Sequence, residues 1–296
     1  MRALQDDLIN EIMLNPDGQL WVEHVKNGMY PVGEMNHGHA VNFIRTVAGL
    51  HGLVVQENHP ILETELPLDL SRFEATIPPV TRNASFTIRK KAKKIYSLDE
   101  YVESGILNAE QAEMIRAAIV SRKNILVCGG PGTGKTTFTN ACIAELVKLC
   151  DPNQRIIILE DVPELQCAAK NTLSMCTSKN VDLSDLLRVT LRSRPDRILV
   201  GEVRNKAMLD LLKAWNTGSP GGIATVHANG VDAAIQRCSD LAQEAGVPSP
   251  DHLILETVNI IVAIERCVGG AGRVVKEDAE LTGFSKENGF IFNKMR

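Results

Sequence analysis

The chain has 296 residues, 44 % of them hydrophobic and 4 % aromatic, with a formal net charge of −4. That length accommodates two domains around ordinary cores, and the acidic balance argues against the global basic field that many nucleic-acid binders carry. No run of 18 apolar residues occurs and the N-terminus lacks the basic-then-apolar plan of a signal peptide, so neither a membrane-spanning helix nor a secretory leader is expected.

Residues 1–95 read as a small α+β domain. The spacing predicts an amphipathic helix over Leu4–Leu14, a turn at Asn15–Gly18, and a hairpin of Leu20–Val25 with Met29–Val32 around Lys26-Asn27-Gly28. A helix is expected over Val41–His51, then strands at Ile61–Leu66, Arg72–Ile77 and Ser85–Arg89. The basic run Arg89–Lys94 and residues 96–104 read as a solvated linker and hinge. From 105 to 296 helical and strand patterns alternate, which predicts an α/β domain with a mostly parallel sheet. Asn108 and Gln111 have the form of a capping box that opens a helix running to Ser121. Strands are expected at Ile125–Cys128, Ile156–Glu160, Arg197–Gly201, Ile223–His227 and Ile260–Arg266, with a terminal hairpin of Gly272–Val275 and Gly289–Phe292.

The most informative stretch is GGPGTGKT at Gly129–Thr136, which matches G-x-x-x-x-G-K-[ST]. An apolar strand precedes it and a helical pattern follows, which is the context a phosphate-binding loop needs. Gly130, Pro131, Gly132, Thr133, Gly134, Thr136 and Thr137 are expected to wrap the phosphates, all but Pro131 with backbone N–H groups, at a helix N-terminus. Lys135 is expected to reach the β- and γ-phosphates and Thr136 to hold Mg²⁺. The chain is therefore expected to bind ATP.

Three further segments carry chemistry. Glu160, Asp161 and Glu164 end an all-apolar strand, where carboxylates hold a metal's water shell or activate a water. Arg197–Glu202 is an apolar run ending in an acid, expected to bind Mg²⁺ through water or to polarise the attacking water. Gly218–His227 is a Gly-rich turn feeding a short strand that delivers a histidine to the γ-phosphate. Arg188, Arg192, Arg194, Arg197 and Arg204 form a set in which some are ion-pair partners and others neutralise transition-state charge. Seven scattered cysteines with no C-x-x-C argue against a disulfide framework or a Cys-rich zinc site. Cys128 reads as a packing residue that also exposes the chain to thiol reagents.

In this order the segments resemble the secretion ATPase superfamily, ring ATPases of type II and type IV secretion and of type IV pili. The stretch Leu191–Arg204 (LRSRPDRILVGEVR) is similar to the type IV secretion branch, as are Arg72–Pro79 and Phe86–Lys90. The resemblance implies a RecA-like fold and a homohexamer with nucleotide between the two domains. It also implies partners among the inner-membrane components of a secretion or conjugation channel and its coupling ATPases. The location implied is cytoplasmic, peripheral to the inner membrane, with no primary nucleic-acid binding. Arg72 and Arg89 would reach the phosphates from the N-terminal domain, Glu164 would activate water, Glu202 would bind Mg²⁺ and His227 would sense the γ-phosphate. The two glutamates are interchangeable at this stage. A pilus motor, a nucleotide-gated scaffold that does not hydrolyse ATP, and a DNA translocase remain alternatives.

Overall fold

The computed structural model describes every residue except Met1, Lys26, 92–93, 268–271, 286, 288 and 296. The chain forms two compact units, Met1–Lys94 and Ile95–Arg296.

In the first unit a short helix α1 (Arg2–Gln5) precedes strands β1 (Ile9–Leu14), β2 (Gln19–His24) and β3 (Gly28–Glu34). Helix α2 (His37–Leu50) follows, and then β4 (Ile61–Glu65), β5 (Arg72–Thr76) and β6 (Ser85–Arg89). The strands make one antiparallel sheet in the order β3-β2-β1-β6-β5-β4. Ile12, Leu14, Val22, Phe73, Phe86 and Ile88 pack with Ile44 and Val47 of α2 in the core. The helix expected over Leu4–Leu14 is not there. Asp6 stops α1, its carboxylate accepting from Leu8 N at 3.0 Å and its carbonyl from Ile9 N at 3.1 Å. Beyond that turn Ile12 and Leu14 alternate into the core, and β1 has partners on both sides. A central strand with two ladders outweighs a weak helical period. Lys26 of the expected hairpin turn and residues 92–93 of the basic run lie outside the described residues.

The second unit begins with α3 (Leu98–Glu103), α4 (Ala109–Val120), β7 (Ile125–Cys128), α5 (Lys135–Leu149), β8 (Ile156–Glu160) and β9 (Thr172–Cys176). It continues with α6 (Leu183–Thr190), β10 (Arg197–Val200), α7 (Ala207–Asn216), β11 (Ile223–Val226), α8 (Val231–Gln243) and α9 (Asp251–Thr257). Strands β12 (Ile260–Arg266), β13 (Arg273–Ser285) and β14 (Gly289–Met295) complete it. The segment 96–104, expected as a linker, holds α3. Ser97 and Glu100 form its capping box, and buried Leu98 and Tyr101 join the core of this unit, Tyr101 edge-on to Phe138 at 5.4 Å. The capping box of Asn108 and Gln111 opens α4.

The sheet order is β14-β13-β12-β7-β11-β10-β8-β9. Strands β12 through β9 run parallel, and β13 and β14 extend the sheet antiparallel. Strands β7, β8, β10 and β11 are buried at every position, as parallel strands covered on both faces must be. Alternate residues feed two cores. Leu126, Ile157, Ile198 and Val226 meet residues of α6 to α9, while Ile125, Val127, Ile158 and Leu199 meet residues of α3 to α5. Edge strand β9 escapes the sequence pattern because none of its residues is buried. The expected terminal hairpin is longer at both arms, since Glu277, Asp278 and Glu280 hide the strand character of β13.

The N-terminal ends of the parallel strands are tied by buried polar groups. Arg197, 1 % exposed, donates to Gln154 Oε1 at 2.8 Å and to the carbonyls of Gly221 and Ile119 at 3.0 Å each. Asn124 Oδ1 accepts from the backbone N–H of Gly221 and of Gly222 at 2.8 Å each, and Nδ2 donates to Thr257 O at 2.7 Å.

Candidate nucleotide site

The opposite, C-terminal ends of the same strands carry the site. β7 feeds the loop Gly129–Gly134, and α5 starts at Lys135. A Cβ on Gly129 would collide with the backbone oxygen of Ile264, so no side chain fits where the loop leaves the sheet. Gly134 sits at φ 98° as the N-cap of α5 and supplies no side-chain cap. The first N–H groups of α5 are thereby left for an external anion. The Lys135 side chain is nearly buried, and its Nζ donates to the carbonyls of Gly129 and Gly130 at 2.9 Å each. Nζ also lies 3.1 Å from His227 Nδ1.

From His227 a line of polar side chains continues. His227 Nε2 is 2.7 Å from Glu202 Oε1, Glu202 Oε2 accepts from Arg204 Nη2 at 2.8 Å, and Arg204 Nη1 is 3.9 Å from Asp161 Oδ2. The hydrogen-bonded Glu202 carboxylate raises the Arg204 pKa above its ordinary value and holds the guanidinium charged. Thr225 clips this corner together, its hydroxyl donating to Gly201 O at 2.6 Å and its carbonyl accepting from Val203 N at 3.0 Å. A sheet order that inserts β11 between the loop strand and β10 brings a histidine just past β11 between Lys135 and a carboxylate just past β10.

A second line runs through the acidic segment after β8. Thr136 Oγ1 donates to Glu164 Oε2 at 3.2 Å. Asn140 of α5 fixes that segment, donating to Glu164 O at 3.1 Å and accepting from Gln166 N at 2.8 Å. Glu160 is 4 % exposed and its Oε1 accepts from the backbone N–H of Glu164 and of Leu165 at 2.8 Å each. Its carboxylate holds the turn that carries Glu164. Asp161 accepts from Thr177 Oγ1 at 3.2 Å and is partly exposed.

Lys135, Thr136, Glu164, Glu202, Arg204 and His227 are thus brought to one end of the sheet. Arg197 is not: it lies at the far end of β10, within the scaffold. Arg188 pairs with Asp185 on α6, and Arg192 and Arg194 are exposed. Arg72 and Arg89 belong to the first unit, where they stand opposite each other across β5 and β6, with Arg89 Nε 3.7 Å from Glu11 Oε1. Cys128 is fully buried, and burial pushes its thiol up to about 12, so the thiol-reagent sensitivity expected of it does not suit its setting.

Two residues beside the loop escape the motif reading. Arg266 ends β12 and donates from Nε to Gly132 O at 2.9 Å. Arg273 starts β13, and its Nη1 occupies the place a Cβ on Gly134 would take. The signal available in the sequence is two arginines flanking the glycine-rich stretch 268–272, which the antiparallel pairing of β12 with β13 sets opposite each other.

The donor set suits magnesium. A threonine hydroxyl and two carboxylates are hard oxygen ligands, and Oε1 of Glu202 is buried without an aligned hydrogen bond despite its closeness to His227. Among the described residues no cluster of three or more His, Cys, Asp or Glu forms a protein cage for a metal. Magnesium at phosphates typically keeps several waters and takes only one or two protein ligands.

The site and fold agree with what the chain is similar to. The model of the type II/IV secretion system protein family matches residues 1–287. A probable conjugal transfer protein TrbB of Sinorhizobium fredii is 47 % identical over 96 % of this chain and 86 % of its own length. The type IV secretion system protein VirB11 of Bartonella quintana is 29 % identical over 90 % of this chain and 87 % of its own. Among solved structures, the ATPase DotB of Legionella pneumophila superposes with a TM-score of 0.66 at 18 % identity, covering 97 % of this chain and 80 % of that one. A phosphate loop and an ordered line of acids at the C-terminal edge of a mostly parallel sheet, with a family match along nearly the whole length, place the chain in the type II/IV secretion system protein family.

Proposed function

We propose that the chain is an ATP-hydrolysing motor of the type IV secretion and conjugation branch. The observation that carries the reading is the continuous contact from the phosphate loop to the carboxylate after β10, Lys135–His227–Glu202, beside the Thr136–Glu164 contact. Lys135 now rests on the loop's own carbonyls and would turn its ammonium to the β- and γ-phosphates. Glu164 is the group to take a proton from the attacking water, because the Glu160 carboxylate and Asn140 fix its backbone next to Thr136. His227 touches both Lys135 and Glu202, so a change in Lys135 on phosphate loss passes to the end of β10. Arg204 and Asp161 extend that line. Thr136 and Glu202 would hold Mg²⁺, the latter through water, and the ion would supply neutralisation of phosphate charge.

Within the first unit, Arg72 and Arg89 face each other on β5 and β6 and are its candidates for phosphate contact. The assembly is a ring of six at the cytoplasmic face of an inner membrane, docked on channel components and coupling ATPases. Peripheral attachment is consistent with the lack, among the described residues, of any helix long and apolar enough to cross a bilayer. The test is ATP turnover of the purified chain beside Lys135→Ala, with light scattering for mass in the same buffer. Turnover from a particle of about six subunits supports the motor. A nucleotide-binding particle without turnover, alone or with its membrane partners, would replace it by a gated scaffold.

A further inference from the structure

The acidic groups of the site lie on one side of the phosphate loop, after β8 and β10. The other side, the antiparallel pair β12–β13, presents two guanidinium groups. Arg266 and Arg273 are register partners across β12 and β13, so their side chains leave the same face of the sheet. Both lie against the loop. Arg266 Nε donates to Gly132 O at 2.9 Å, and a Cβ built on Gly132 would collide with its Nη2. A Cβ built on Gly134 would collide with Nη1 of Arg273.

Like charges directly opposite each other on an antiparallel pair repel. Elsewhere on these strands the charged side chains are paired, except at buried Asp278. Glu265 pairs with Lys276 at 3.1 Å, Glu277 with Lys294 at 3.4 Å, and Glu280 with Lys123. Among the described residues neither arginine has an acidic partner of this kind. Two guanidiniums without an acidic partner, side by side, border the loop that leads into the uncapped N-terminus of α5, whose free N–H groups favour an anion. A phosphate chain would neutralise both, and an arginine fork suits phosphate oxygens.

We propose that Arg266 and Arg273 form a basic clamp that grips the polyphosphate of the nucleotide from the β12–β13 side of the loop. The proposal rests on the nucleotide reading above and adds a pair of binding residues contributed by the same chain. It requires that affinity for phosphate-bearing ligands depend on both arginines, whatever the base.

The test is calorimetric titration of ADP and of pyrophosphate into the intact protein, into Arg266→Gln, Arg273→Gln and the double variant, and into Lys135→Ala. The clamp predicts that each single variant weakens both ligands about tenfold and the double variant more. It also predicts a shallower loss of affinity with added salt in the double variant, and partial recovery in Arg266→Lys and Arg273→Lys. In ATP turnover the defect falls on KM more than on kcat. Equal affinities in the intact and double-variant proteins overturn the clamp and leave the nucleotide site standing. Loss of ADP affinity with unchanged pyrophosphate affinity also overturns it, by moving the contact to the nucleoside. Failure of the intact protein to bind either ligand better than Lys135→Ala removes the nucleotide reading and the clamp together.

Discussion

Strand β10 carries a charged residue at each end, Arg197 at its start and Glu202 just beyond its finish, and the two do opposite things. The Arg197 guanidinium donates to two buried backbone carbonyls and to half-buried Gln154 and Cys150, all within the scaffold. Glu202 instead meets ionisable side chains, His227 and Arg204, in a half-open setting. Polar groups at the N-terminal ends of these strands satisfy the backbone and fix strand order. Those at the C-terminal ends satisfy one another. The difference follows from topology, since the C-terminal ends of parallel strands open into the loops that form a crevice.

Substitutions at the two ends separate these roles. The largest effect is expected from Lys135→Ala, which should lower kcat on the order of a thousandfold and leave the unfolding midpoint within a few degrees. Stopped turnover with a collapsed midpoint would mean that Lys135 is scaffold, as Arg197 is. Arg197→Met is expected to do the reverse. Leaving two buried carbonyls and Gln154 without donors should cost about 3 kcal/mol of stability, read by urea titration. A variant of normal stability but without turnover would return Arg197 to the set of reacting arginines. Next, Glu164→Gln should keep ADP affinity and reduce turnover about a hundredfold, whereas near-normal turnover there and a loss in Glu202→Gln would exchange the two glutamates.

The C-terminal end was the legible one. Gly129–Thr136, the acids after β8, Glu202 and His227 each follow an apolar run, so their place at strand ends can be read from hydropathy alone. Arg197 was ambiguous because a charge before an apolar strand looks the same whether it faces solvent or is sunk among carbonyls. Its burial depends on Gln154, Ile119 and Gly221, which are remote in sequence. Arg266 and Arg273 were silent for a related reason: they approach the loop only once β12 lies beside β7. In the first unit the misread was local. Leu4, Leu8 and Ile12 fit a helical stripe, and only the turn at Asp6 and the double pairing of β1 select the strand.

A buried acid that belongs to neither end sharpens the comparison further. Asp278 lies in the middle of β13, fully buried, with Oδ1 accepting from Gln111 Nε2 at 2.7 Å and Oδ2 without a hydrogen bond. Burial raises its pKa, and the Gln111 hydrogen bond offsets only part of that. The fold therefore favours the protonated acid. Between the ordinary carboxyl value of 3.8 and the raised one, the native state binds more protons than the unfolded chain. Stability contributed by this group is thus fully present below that ordinary value and is lost as pH rises through the window. Asp278→Asn keeps the acceptor for Gln111 and does not titrate. The variant should be more stable than the natural chain at pH 7.5, on the order of 1 kcal/mol, with the gap narrowing toward pH 4.5. Urea titrations of both proteins at the two pH values measure it. A gap independent of pH would mean that Asp278 ionises in the fold at no cost, and that its buried setting resembles the partnered C-terminal acids more than the fixed groups at the strand starts.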